Sequence, residues 1–464
     1  MNICGPDLTF MQEPSIAHLL EIIAQQQRYI AILENKIVEL TARIHELERR
    51  KNSGNSHMPP STDRGKPQRN KSLREKSDRK SGGQTGHSGS TLKMSLTPVR
   101  VEELMAESCE DCGRNLTGIQ GELIERRQVV DIPPVKPVYT EYQTFSKRCC
   151  CGCVSNGKFP VEVSGRIQYG ANVMTWVAYL SVRQYLPYNR IKECLSHTFG
   201  IDMSEGTIHN LLQDFAARST PVYQDIKSDI ERSTCIGTDE TGAKVNGKKN
   251  WCWTWQNQRS TYLVISPSRG YQTIQNEFPD GLPQAILCHD RWAAHLMCKA
   301  KNHQICLAHL ERELNYLEEL YQHRWSTKFK QCLKDALAFR RELVASGDFK
   351  IRTRYHRSIE KRLDELLHWK LPDGHKKAIT LQKKLRTIRD HILVFLYHEE
   401  VPPDNNGSER AIRNVKVKEK VSGQFRSQEG AQAFAIIRSV IDTALKRGVT
   451  CFEALFSIAT PVAE

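Results

Sequence analysis

Isoleucine returns every seven residues at Ile16, Ile23, Ile30, Ile37 and Ile44, and Leu19, Gln26, Leu33, Leu40 and Leu47 follow three places later. This is the spacing of a helix with one apolar seam, and Ile at a with Leu at d favours a parallel two-stranded coiled coil. Charged and polar side chains fill nearly all other positions, and neither Pro nor Gly interrupts. The pattern predicts a leucine-zipper coiled coil over 16–50, with Gln26 as a polar interruption that fixes register. A homodimer through this segment is expected.

Large apolar residues then almost vanish. Residues 51–98 are rich in Ser, Gly, Pro, Lys and Arg, and from Arg49 to Arg100 there are 13 Lys/Arg against three Asp/Glu. Such a stretch buries too little surface to offset its chain entropy, so a disordered basic linker is expected. It would neutralise phosphates without reading sequence. The whole chain of 464 residues carries a formal net charge of +14, which points to a polyanionic partner. No apolar run reaches the length of a membrane span, and the start at Met1-Asn2-Ile3-Cys4 lacks a signal-peptide plan. A cytoplasmic protein without a membrane partner is expected. Its fifteen cysteines then favour metal over disulfides.

The cysteines cluster at Cys109-Glu110-Asp111-Cys112-Gly113 and Cys149-Cys150-Cys151-Gly152-Cys153. Strand-like segments around 123–130 and 138–142 lie between them. Two knuckles about forty residues apart suit a tetrahedral structural Zn²⁺ in a small ribbon over 99–160. Cys109 and Cys112 form one pair; the second pair comes from Cys149 to Cys153.

From 165 to 225 the pattern is helical. One helix starts at Pro187 and carries Ile191, Cys194 and Leu195 up to Gly200, and Ser204 caps another with Ile208, Leu211, Leu212 and Phe215. Helix, Gly-containing turn and capped helix is a helix-turn-helix outline that could contact DNA.

The catalytic candidates follow. Asp239 sits in an apolar run that opens a three-strand antiparallel meander, continued through Asn250–Trp255 and Thr261–Ser266. Asp290 closes a fourth strand, Ala285–His289. Residues from about 305 to 397 read as a charged helical insertion. Glu409 then stands at a helix start, and a last helix runs from a Ser427 cap to Lys446, leaving 448–464 as a tail. This order of acids is the ribonuclease-H-like plan, a multidomain α+β fold with an α/β catalytic core over 231–447. Three carboxylates around two Mg²⁺ ions, with Mn²⁺ as a substitute, suit in-line displacement at a phosphodiester. Glu240 beside Asp239 is a rival ligand, and strand geometry lets only one of the two face the metals. Arg410, Arg413, Lys416, Lys418 and Lys420 form a basic track for DNA beyond Glu409. Cys306-x-x-His309 has the form of half a metal site, with no second pair nearby; a structural or DNA-positioning role is expected.

At these residues the sequence resembles transposases of the insertion-sequence-66 family. The matching stretches include Gly237-Thr238-Asp239-Glu240-Thr241-Gly242, Cys288-His289-Asp290, Cys306-Leu307-Ala308-His309, Asn405-Asn406-Gly407-Ser408-Glu409-Arg410 and Lys420-Val421-Ser422-Gly423. The resemblance spans nearly the whole chain. It implies a DDE transposase that binds element ends and target DNA and catalyses cleavage and strand transfer, with Asp239, Asp290 and Glu409 as the catalytic, magnesium-holding acids. It selects Asp239 over Glu240, and it favours Cys149 and Cys151 as the second zinc pair. It also implies the zipper, zinc and helix-turn-helix regions, small accessory proteins of the same element as partners, and a nucleoid-associated place in a bacterial cytoplasm. A structure-selective nuclease would share the acids. A non-enzymatic regulator using zipper and zinc ribbon alone leaves the core unexplained.

Overall fold

The structure, a computed structural model, describes residues 15–48, 86, 88–89, 91–349 and 352–460. The basic linker expected over 51–98 therefore lies mostly outside the described residues.

The heptad segment is one helix, α1 (Ile16–Glu48). Its Ile residues at a, with Leu19, Leu33 and Leu40 at d, are all exposed. The helix touches the rest of the chain through positions away from that seam. Glu39 accepts from Lys376 Nζ at 2.7 Å, and Val38 lies against Gly374. An open apolar seam remains.

Over 99–160 the only strands are a short antiparallel pair, β1 (Ser146–Arg148) and β2 (Val154–Asn156). The strands expected around 123–130 and 138–142 do not form. Leu104, Ile124, Val129 and Val138 are exposed there, so no buried face holds a longer ladder in place.

The helical region follows its capping signals. It comprises α2 (Ala171–Ala178), a π turn at Tyr179–Arg183, α3 (Tyr188–Phe199), α4 (Glu205–Arg218) and α5 (Thr220–Glu231). Gly200 ends α3 in the left-handed region at φ 63°, and Ser204 Oγ accepts from Thr207 N at 3.0 Å. The boundary expected at 225 falls inside α5. Ile191, Leu195, Ile208, Leu212 and Phe215 share one core with Cys252, Leu263 and Phe434, so these helices pack directly on the sheet region.

That sheet comprises β3 (Cys235–Val245), β4 (Lys248–Gln256), β5 (Thr261–Ser266), β6 (Leu282–His289) and β7 (Ala300–Ile305), in the order β5-β4-β3-β6-β7. The first three form the antiparallel meander, turning at Asn246-Gly247 with φ of 45° and 74°, while β6 is parallel to β3 and β7 to β6. Two helices, α6 (Tyr271–Glu277) and the short α7 (Ala293–Leu296), connect the later strands. Strand β7 has no signature in the sequence, because Lys301-Asn302-His303-Gln304 carries no apolar alternation. Tertiary bonds stabilise it: Gln304 donates to the Ile392 carbonyl at 3.1 Å and accepts from Phe395 N at 2.9 Å.

The helical insertion contains α8 (Leu307–Tyr321), α9 (Arg324–Ser346), α10 (Arg354–Leu367) and α11 (Lys376–Thr387). It has its own core around Trp325, Phe329, Leu363 and Phe395, which continues into Ile286 and Ile305 of the sheet. The chain returns through α12 (Asn406–Ser422) and α13 (Gln428–Lys446), the latter capped by Ser427. In place of the expected tail, α14 (Cys451–Ala459) follows. Thr450 and Glu453 form its capping box, and Cys451, Leu455 and Ala459 are buried. No helix among the described residues is long and apolar enough to cross a membrane.

Candidate active site

The register of β3 against β6 pairs Cys235 with Ile286, Ile236 with Leu287 and Gly237 with Cys288. Asp239 and Asp290 each lie two residues beyond the last of these pairs. Asp239 lies within β3 and Asp290 is the first residue past β6, so the two sit at corresponding positions along adjacent parallel strands, whose spacing is about 4.8 Å. Burial pushes the Asp239 carboxyl well above the usual range, and the negative charges of Asp290, Glu240 and Glu409 push it further. The charges of Asp290 and Glu409 thus reach Asp239, although the carboxylate oxygens of the three acids do not all lie within 4.8 Å of one another. One oxygen of each aspartate is pinned by a backbone N–H, Asp239 Oδ1 by Glu240 at 2.9 Å and Asp290 Oδ1 by Trp292 at 3.0 Å.

Glu240 points to the other face of β3, as strand alternation requires. There its buried carboxylate accepts from His295 Nε2 and Arg269 Nε, both at 2.8 Å. The Arg269 guanidinium stacks 3.9 Å over Trp292 and 4.7 Å over Trp251, and its carbonyl accepts from Trp292 Nε1 at 3.2 Å. Glu240 is thus a structural anchor for the turn that carries Asp290. Nothing in the local sequence marks Arg269 or His295 as its partners.

Close backbone approach brings in the third acid. Buried Asn405, which precedes α12, donates from Nδ2 to the Thr238 carbonyl at 2.7 Å and accepts from Ser408 Oγ at 2.7 Å. A Cβ at Gly237 would come within 2.5 Å of Gln256 Nε2 and 2.6 Å of Ser408 Oγ. One at Gly407 would come within 2.5 Å of Gln256 Nε2. These two glycines let the start of α12 sit on β3, with Glu409 in the first turn of the helix.

Cys306 lies between these segments. Its N–H donates to the His289 carbonyl at 2.8 Å, and its sulfur accepts from Asn405 N at 3.3 Å. Burial pushes this thiol up to about 12. Cys306, His309 and Glu409 place their ligand atoms within 4.8 Å of one another, the one such group of three among the described residues.

The basic track divides. Arg410, Arg413 and Lys420 are exposed, with Arg413 3.8 Å from Glu409 across one helical turn. Lys416 is half-exposed but bonds the Gly242 carbonyl and Glu419. Lys418 does not belong to the track. It falls in phase with Ala411 and Val415 on the inner side of α12, and burial lowers its amine to about 8.

The cysteine knuckles form separately. Backbone N–H groups of Cys112 and Asp111 hold the Cys109 thiol below its ordinary value, and the Cys151 N–H does the same for Cys149. Each half has the N–H to sulfur bonding that suits a metal-bound thiolate. The described residues do not bring Cys109, Cys112, Cys149 and Cys151 into one ligand group.

The sequence pattern described as Transposase IS66 family matches residues 166–433, and that of a family of unknown function matches residues 11–93. No curated protein matches.

Proposed function

The chain belongs to the IS66 family of transposases, and from that premise we propose that Asp239, Asp290 and Glu409 are the catalytic acids of a ribonuclease-H-like core. The reaction is cleavage at the ends of a bacterial insertion sequence followed by strand transfer. The observation that supports this reading is that Asp239 and Asp290 each follow the last paired position of β3 and β6 by two residues, with the charge of Glu409 acting on Asp239.

The donor set fits divalent cations. Burial and neighbouring carboxylates disfavour the charge on Asp239, the cation nearest Glu409 is the largely exposed Arg413 at 3.8 Å, and Glu409 Oε1 is buried without a hydrogen-bond partner. Two Mg²⁺ ions, or Mn²⁺ in their place, would supply the charge that activates an attacking hydroxyl and offsets negative charge at phosphorus. The chain's own part is positioning. The Glu240 and Trp292 N–H groups fix one oxygen of each aspartate and leave the other for a ligand. Asn405 holds the start of α12 against β3, and Arg410, Arg413 and Lys420 face solvent where a phosphate backbone could run.

The remaining parts serve DNA and assembly. The open Ile/Leu seam of α1 would pair with a second copy, and α3–α4 would contact element ends. A zinc ion would join Cys109 and Cys112 to Cys149 and Cys151, and elemental analysis of chelator-free protein would test for it. The central test is cleavage and strand transfer on DNA carrying the element's terminal repeats. Mg²⁺-dependent cleavage without joining would replace the transposase mechanism with a plain nuclease.

A further inference from the structure

Cys306, His309 and Glu409 are three different ligand types on two chain segments 100 residues apart. Cys306 caps α8, and His309 follows on its first turn, so the pair shares a helix face at i,i+3. Glu409 arrives from the first turn of α12. His309 Nδ1 and Glu409 Oε1 are 3.7 Å apart. Two ligands bound at about 2.0–2.1 Å to one tetrahedral ion stand roughly 3.4 Å apart, so small side-chain shifts suffice to close the site.

Two further observations favour a ligand there. Glu409 Oε1 is buried and accepts no hydrogen bond. The Cys306 sulfur already receives the Asn405 N–H, a bond that stabilises a metal-held thiolate. Sulfur, imidazole and one carboxylate select a soft or borderline cation such as Zn²⁺ over Mg²⁺, which prefers an all-oxygen shell.

We propose that Cys306, His309 and Glu409 form a binding site for a thiophilic divalent cation, with a fourth position left for an outside ligand. Binding forms S–metal, N–metal and O–metal bonds and releases the Cys306 thiol proton to water. Because Glu409 is shared, a cation held here withdraws it from Asp239 and Asp290, so Zn²⁺ inhibits the Mg²⁺-dependent reaction. This consequence rests on the catalytic reading of Glu409; the site itself does not.

Cobalt tests the site directly, because a thiolate-bound Co²⁺ absorbs in the near ultraviolet. Full-length protein with Cys109, Cys112, Cys149, Cys150, Cys151 and Cys153 changed to Ser is titrated with Co²⁺ without DNA. A saturable thiolate–cobalt band is expected. Cys306→Ser should abolish it, and His309→Ala should weaken Co²⁺ binding at least about tenfold. No band in the background protein, or an undiminished band in Cys306→Ser, overturns the site. Should Cys306→Ser fail to fold by circular dichroism, Glu409→Gln decides: unchanged Co²⁺ affinity and visible spectrum overturn it equally. A second arm titrates Zn²⁺ into Mg²⁺-dependent cleavage. Inhibition of wild type should weaken in Cys306→Ser when each is referred to its own zinc-free rate, and equal inhibition overturns the competition. If wild type cleaves nothing, the catalytic reading fails while the cobalt titration still decides the site.

Discussion

The side chain of Asn405 donates to the backbone carbonyl of Thr238 at 2.7 Å, tying the start of α12 to the residue before Asp239 across 167 positions of sequence. The two glycines at this junction permit the approach. Gly237→Ala places a methyl within 2.6 Å of Ser408 Oγ and 2.9 Å of Asn405 Oδ1. We expect a loss of about 1–3 kcal/mol in urea unfolding and a larger proportional loss of cleavage. Unchanged stability and rate would show that α12 docks differently.

Asp239→Ala, Asp290→Ala and Glu409→Ala should each lower Mg²⁺-dependent cleavage of element ends by at least about 10²-fold while DNA binding survives. Glu240→Gln should act differently, through the fold. Its buried carboxylate holds His295 and Arg269, so thermal stability should fall along with activity. A single variant of the three acids that keeps near wild-type cleavage removes that residue from the set.

The basic track predicts a contrast on one helix. Arg413, with 71% of its side chain exposed, and Lys420 face solvent, whereas Lys418 is only 9% exposed. Arg413→Ala and Lys420→Ala should each reduce the salt slope of DNA affinity by about one. Lys418→Met should leave that slope alone and hold or raise stability, since it removes a buried amine. Fluorescence anisotropy at several salt concentrations separates the cases.

Acid sensitivity should arise partly from His303, which accompanies buried His289 at 3.1 Å. Burial lowers the His303 imidazole from 6.5 to about 4. The unfolded chain takes up this proton at higher pH than the folded chain does. Stability is therefore full above about 6.5 and falls as pH drops toward about 4, by at most about 1.4 kcal/mol per pH unit for one proton. Urea midpoints across that window should show the slope, and His303→Asn should shrink it. An identical slope in the variant would assign the effect elsewhere.

Assembly is tested on the full chain by light scattering. Ile30 and Leu33 are exposed on α1, and each such side chain buried in a paired seam contributes roughly 1.5–3 kcal/mol. Ile30→Lys with Leu33→Lys should convert a dimer to a monomer. A monomeric wild type would leave α1 as a helix that touches only its own chain through Val38 and Glu39.

Much of this molecule was written in local pattern. The α1 heptads, the caps at Ser204 and Ser427, the stop at Gly200 and the alternation that sets Asp239 and Glu240 on opposite faces all follow from periods and capping chemistry within a few residues. Those signals are local because a helix turn or a pleat is closed by near neighbours. Strand β7 leaves no local pattern because Gln304 is satisfied by Ile392 and Phe395, some ninety residues on. Lys418 read as a DNA contact because composition records charge and not the side of α12 on which it falls. Expected strands at 123–130 failed for want of a buried face. The Arg269 and His295 clasp on Glu240, the Gly237–Gly407 approach and the meeting of Cys306, His309 and Glu409 were decided by tertiary packing alone. Each depends on distances between segments that no sequence spacing fixes, set only when the sheet, the insertion and α12 close on one another.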